Sequence, residues 1–282
     1  MTPPVLSHRA GQVDESGWLV LRHAVAAYRE FLGKRLLGAY ALGSLAHGGF
    51  APTVSDVDLA LVLDGRSPDD LPAIERVRDE LRAGGDPLHQ RLSVFWSSLS
   101  ALTGNRSDGR FPAVDRLDLA EHGKVLHGQD ITAHLPRPSG AELAEDSARS
   151  ALEFFATDQV IGTFRDPRAL VDPADPLWLT KIILLPVRFL HTARTGRVGA
   201  TDKASERYLA AQRPVAGDLI RAAMRWRKGE PLREDEAVPL LRAQLVPLYV
   251  HYIDCLLAGP LSMVGDCGLV MDFERWRDRL LS

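Results

Sequence analysis

Residues 41–61, ALGSLAHGGFAPTVSDVDLAL, decide how the rest of the chain is read. Leu37 to Leu42 is a short apolar run ended by Gly43, and Val57 to Leu63 is a second run closed by the polar Asp64-Gly65-Arg66 turn. Both read as neighbouring strands. The second opens with Asp56 and Asp58, whose two-residue spacing on a strand sends both carboxylates to one face. Like charges that close repel, and a divalent cation relieves the repulsion. Magnesium fits such a pair, because it takes one or two protein carboxylates together with phosphate oxygens and water. Gly43 allows a sharp turn and close approach of a phosphate to the backbone. Ser44 offers that phosphate its amide and its hydroxyl, with a favourable dipole if a helix begins there.

Working outward, Trp18, Leu21, Val25, Tyr28 and Leu32 recur at three- and four-residue steps, which predicts a helix stopped at Gly33. Asp69 to Arg82 returns to helical spacing through Leu71, Ile74, Val77 and Leu81 and ends at Gly84-Gly85. Leu92 to Trp96 reads as a third strand, and the short mixed pattern from Pro112 to His127 as a small extension of the sheet. Beyond the Pro136-Arg137-Pro138-Ser139-Gly140 linker the pattern becomes helical: Ala141 to Ala156, Leu177 to Thr195, Thr201 to Ala211, Val215 to Lys228 and Ala237 to Leu257. Ser139 and Glu142 have the spacing of a capping box at the first of these helices. The expected fold class is α+β, an N-terminal mixed sheet with flanking helices over residues 1–138 and an all-α helical domain over 139–282.

Composition narrows the function classes. The chain has 282 residues, 45% hydrophobic and 25% charged, with a formal charge of −3. A pI near 6.3 lacks the basic excess needed to track a nucleic-acid backbone, so no nucleic-acid partner is expected. Met1 to Gly17 has no basic flank followed by an apolar run, and no stretch approaches the roughly 18 uninterrupted apolar residues of a membrane span. A cytoplasmic protein without a membrane partner, monomeric or dimeric, is expected. Cys255 and Cys267 lie in no zinc-like spacing and read as small buried hydrophobes or incidental thiols.

A Gly-Ser turn followed by a strand bearing Asp-x-Asp resembles the hallmark of the polymerase-β-like nucleotidyltransferase superfamily. Within it, the helical half resembles the streptomycin and spectinomycin adenylyltransferases, through Val187 to Leu209 (VRFLHTARTGRVGATDKASERYL) with its Thr-Gly turn and following helix start. The resemblance implies an N-terminal nucleotidyltransferase domain, a substrate-side helical domain, and transfer of AMP from Mg-ATP to a hydroxyl of a small molecule. Carried over by position, Gly43 and Ser44 hold phosphate and the catalytic pair Asp56 and Asp58 holds magnesium. Asp202 matches an aspartate that faces the aminoglycoside, although an N-cap for its own helix is an equal reading.

The resemblance is incomplete in three places. The family carries a third carboxylate on the next strand as general base, and Arg91 to Trp96 contains no acid. Asp86, His89 or an acid between Asp115 and Glu121 could substitute. The family's Lys-Asp pair is Thr201-Asp202 here, and its drug-stacking tryptophan has no clear match. Arg221, Arg225, Arg227 and Lys228 read as a solvated helix end or an ATP-phosphate contact. His122 and His127 could reach the cleft, though lone histidines are more often structural. Two other functions stay open: AMPylation of a protein partner in the manner of toxin–antitoxin members, and nucleotide binding without turnover.

Overall fold

The computed structural model describes the backbone of residues 8–84 and 86–282 and side chains from Glu15 onward. Residues 1–7 of the Met1 to Gly17 segment and Gly85 of the helix-ending pair lie outside the described residues. Contacts divide the chain into two compact units, Met1–Pro138 and Ser139–Ser282.

The first unit contains, in chain order, α1 (His8–Leu32), β1 (Leu36–Ala41), α2 (Gly43–His47), β2 (Val57–Leu63), α3 (Asp70–Arg82), α4 (Pro87–Gln90), β3 (Leu92–Ser98), α5 (Leu99–Thr103), α6 (Ala113–His122) and β4 (Lys124–Gly128). The strands form one mixed sheet in the order β3-β2-β1-β4. β1 is antiparallel to both β2 and β4, whereas β2 and β3 are parallel. A parallel pair needs a crossover, which α3 supplies.

Both faces of β2 are covered, which is why its sequence is a near-continuous apolar run instead of an alternating one. Leu59, Leu61 and Leu63 join Ala39, Ala41, Val94 and Trp96 under Leu21, Val25 and Tyr28 of α1 and Ile74 and Val77 of α3. Ala60 and Val62 face the other way, with Tyr40, Phe95, Leu102, Phe111 and Leu119. The Tyr28 hydroxyl donates to the Ile74 carbonyl at 3.0 Å and ties α1 to α3.

The Pro112 to His127 segment differs from its sequence reading. Only Lys124–Gly128 extends the sheet, and Ala113–His122 is a helix. Periodicity missed α6 because Asp118, a charged residue, is among its buried positions. Asp118 is 4% exposed.

The second unit is helical: α7 (Gly140–Phe155), α8 (Asp158–Arg165), α9 (Leu177–Thr195), α10 (Thr201–Leu209), α11 (Gly217–Arg227), α12 (Glu234–Leu257), α13 (Pro260–Val264) and α14 (Cys267–Leu281). The Ser139–Glu142 capping box closes the start of α7. Helices α8 and α14 carry side-chain caps at Thr157 and Asp266 that the apolar spacing did not mark. By length and composition Glu234–Val264 could cross a membrane. Its Leu241, Leu245, Leu248, Tyr249, Tyr252 and Ile253 belong to the core of this unit. Cys255 is half-buried and Cys267 exposed, so neither is a fully buried hydrophobe.

Candidate nucleotide and metal site

The end of β1 and the start of β2 are joined at the level of single atoms. The Leu42 amide donates to the Asp58 carbonyl at 3.0 Å, which carries the pairing one residue beyond the strand. Gly43 then adopts φ +61°, a left-handed conformation that disfavours any residue with a Cβ. A Cβ there would stand 2.1 Å from Asp58 Oδ2. Glycine is thus required twice, for backbone conformation and to admit the carboxylate. The turn continues into α2, where the Ser44 carbonyl accepts the Gly48 and Gly49 amides. Ser44, Asp56 and Asp58 are all half-buried.

Asp56 falls one residue outside β2, contrary to the reading that put both aspartates on the strand. The backbone before it is a turn: the Ser55 amide donates to the Ala51 carbonyl at 2.7 Å, and the Ser55 hydroxyl accepts from the Ala51 amide at 3.0 Å. Arg91, immediately before β3, spans this loop by donating to the carbonyls of Ser55 at 2.9 Å and Pro52. Sequence reasoning gave Arg91 no role, because its partners are carbonyls more than thirty positions away.

In the parallel register Asp58 lies opposite Ser93. A half-buried serine therefore stands where an acid on β3 would share a face with Asp58. Of the proposed substitutes, Asp86 caps α4 by accepting the Leu88 amide at 2.8 Å. His89 stacks on His23 of α1, with ring centroids 5.8 Å apart.

Asp118 is the acid from the 115–121 segment that reaches the turn. Its Oδ2 accepts the Gly43 amide at 2.7 Å, and its Oδ1 lies 2.5 Å from His47 Nε2. The Gly43 amide is thereby committed to a carboxylate. His122, four residues after Asp118 and on the same helix face, sets its ring edge-on to His47 at 4.5 Å between centroids. Burial, and then the neighbouring His47, push the His122 pKa down and favour the neutral ring. His127 lies on β4 opposite Ala39. Sequence reading did not single out His47 at all; the available signal was its place at the end of the Gly-Ser turn.

In the second unit Asp202 is not an N-cap. Helix α10 begins at Thr201, with Ala200 at the cap and no side-chain cap bond. The Asp202 carboxylate instead lies 3.8 Å from Arg227 Nε and 3.6 Å from Lys228 Nζ. Arg221 pairs with Asp218 at 2.9 Å, and Arg225 with Glu230 at 3.0 Å and with Glu236. The basic end of α11 is neutralised by acids instead of merely solvated.

A Gly-Ser turn between antiparallel strands, a parallel third strand and, later in the chain, a helical unit make an α+β fold. Among solved structures, the chain resembles spectinomycin adenyltransferase AAD(9) from Enterococcus faecialis, determined with ATP and spectinomycin. The TM-score is 0.55 and the identity 15%, over 94% of this chain and 99% of that one. No protein-family model and no curated protein matches the sequence.

Proposed function

We propose that the protein is an adenylyltransferase that moves AMP from Mg-ATP to a hydroxyl of a small molecule of the aminoglycoside or aminocyclitol kind. The observation that carries this reading is the seating of the Asp58 carboxylate in the space left by the missing Gly43 side chain. That contact brings the Gly-Ser turn and Asp58 to one place, and the space beside the glycine is shaped by a carboxylate. An oxygen-donor pair of this kind suits magnesium, with Asp56 and Asp58 as the residues that would hold it.

When bound, magnesium would supply neutralisation of phosphate charge as the phosphorus–oxygen bond breaks. Gly43 leaves room for the Asp58 carboxylate, Arg91 fixes the loop that delivers Asp56, and Ser44 would donate to a phosphate oxygen. The acceptor oxygen bonds to the α-phosphorus, the bond to pyrophosphate breaks, and the hydroxyl proton passes to water or to the departing pyrophosphate. No acid on β3 faces that proton, so positioning and charge neutralisation carry most of the step. Labelled ATP, magnesium and an aminoglycoside panel are expected to give AMP-modified drug and pyrophosphate, both lost in Asp58→Asn. A labelled protein band in lysate with no modified drug would instead indicate a protein acceptor.

A second reading, nucleotide binding without turnover, is favoured by Ser93 standing opposite Asp58. Magnesium-dependent ATP binding with no product from any acceptor supports it, and pyrophosphate release excludes it.

A further inference from the structure

We propose that His47, Asp118 and His122 bind a divalent transition-metal ion of the zinc class, through a ligand set distinct from the Asp56/Asp58 pair. Each residue offers one ligand atom, and these atoms lie within 4.8 Å of one another. Bonds of about 2.0–2.1 Å in a tetrahedron set ligand atoms about 3.4 Å apart, so the cluster needs only side-chain adjustment to close on an ion. Two imidazoles and a carboxylate favour zinc-like ions, whereas the all-oxygen Asp56/Asp58 pair favours magnesium.

The supports of the cluster also suit a metal. Asp118 and His122 are one helical turn apart on α6, a spacing that points two ligands the same way. His47 arrives from α2, so the site joins two elements far apart in sequence. The Gly43 amide holds Asp118 Oδ2 and leaves Oδ1 directed at the histidines. Side chains of His47 and Asp118 are each 6% exposed, which shields the ion from competing water. Three protein ligands leave a fourth position for water or an incoming oxygen.

The test is Co2+ binding to the untagged, metal-stripped full chain in excess Mg2+, read by visible absorption and by metal content after dialysis. One bound Co2+ with a strong visible band is expected, displaced by Zn2+ and retained in Asp56→Asn. The band and the bound ion should be lost in His122→Ala and His47→Gln, with circular dichroism confirming that both variants fold. No band in the wild type, a band that survives both histidine changes, or one lost only in Asp56→Asn would overturn the proposal. A measurement without variants is protection from diethyl pyrocarbonate. Zn2+ should slow modification of His47 and His122, and unchanged modification of both would equally overturn it.

Discussion

At the residue scale, Gly43 concentrates the most consequence in one position. Gly43→Ala must place a Cβ at φ +61° and 2.1 Å from Asp58 Oδ2. The backbone alone costs about 1–2 kcal/mol, and the displaced carboxylate should abolish magnesium-dependent ATP binding. Calorimetric titration of the folded variant with Mg-ATP checks this, and wild-type affinity would contradict it. Gly43, Ser44 and Asp58 were legible in sequence because turn chemistry and strand alternation are local. His47 was not, and Asp118 was legible only as one of the acids between Asp115 and Glu121, since their contact spans 71 positions. A second residue-scale prediction concerns Asp70, 1% exposed and bonded to Arg35 at 2.6 Å. Burial alone would raise its pKa, but Arg35 and the Ser67 amide outweigh it and hold the carboxyl below the usual range. A depressed folded pKa contributes stability that is present above the unfolded value near 3.9 and lost as pH falls through the folded one. Asp70→Asn should therefore cost about 2 kcal/mol at neutral pH, and the difference in urea midpoint from wild type should shrink in acid.

At the scale of elements, caps and crossovers explain what periodicity could and could not reveal. Ser139 and Glu142 bond reciprocally at the start of α7, so Ser139→Ala should lower unfolding free energy by about 1 kcal/mol. Urea denaturation followed by helical circular dichroism measures it, and an unchanged midpoint would show the cap to be idle. Strand β2 and helix α9 have the bounds their apolar patterns indicated, Val57–Leu63 and Leu177–Thr195. α6 escaped because a buried aspartate interrupts its apolar stripe, and α14 because its buried face is sparse: Leu269, Phe273 and Trp276. The loop before Asp56 depends on Arg91, an element-level brace. Arg91→Ala should weaken Mg-ATP binding while leaving the melting temperature nearly unchanged, and an equal loss in both would point to a general packing role.

At the scale of the whole molecule, an apolar pattern and one turn specified an architecture that residue identities barely record. The match to AAD(9) spans nearly both chains at only 15% identity. Folds persist at such distances because burial pattern and backbone-special positions are what a core and a turn require, and many side chains satisfy them. The acceptor half of the proposed reaction had no such physical signature: Ser93 lies opposite Asp58, and Asp202 is drawn to Arg227 and Lys228. Strand order could not be read either, because pairing β4 beside β1 is a long-range choice.

The central claim is that Asp58, seated against the Gly43 turn, and Asp56 two residues before it serve nucleotide transfer. Its most direct test is pyrophosphate release from ATP with magnesium and a spectinomycin and streptomycin panel, run for wild type and Asp58→Asn together. Release that requires an acceptor and falls by at least about a hundredfold, some 2.7 kcal/mol, in Asp58→Asn is the predicted result. Equal release from both proteins, or no magnesium-dependent ATP binding by the wild type, would contradict it.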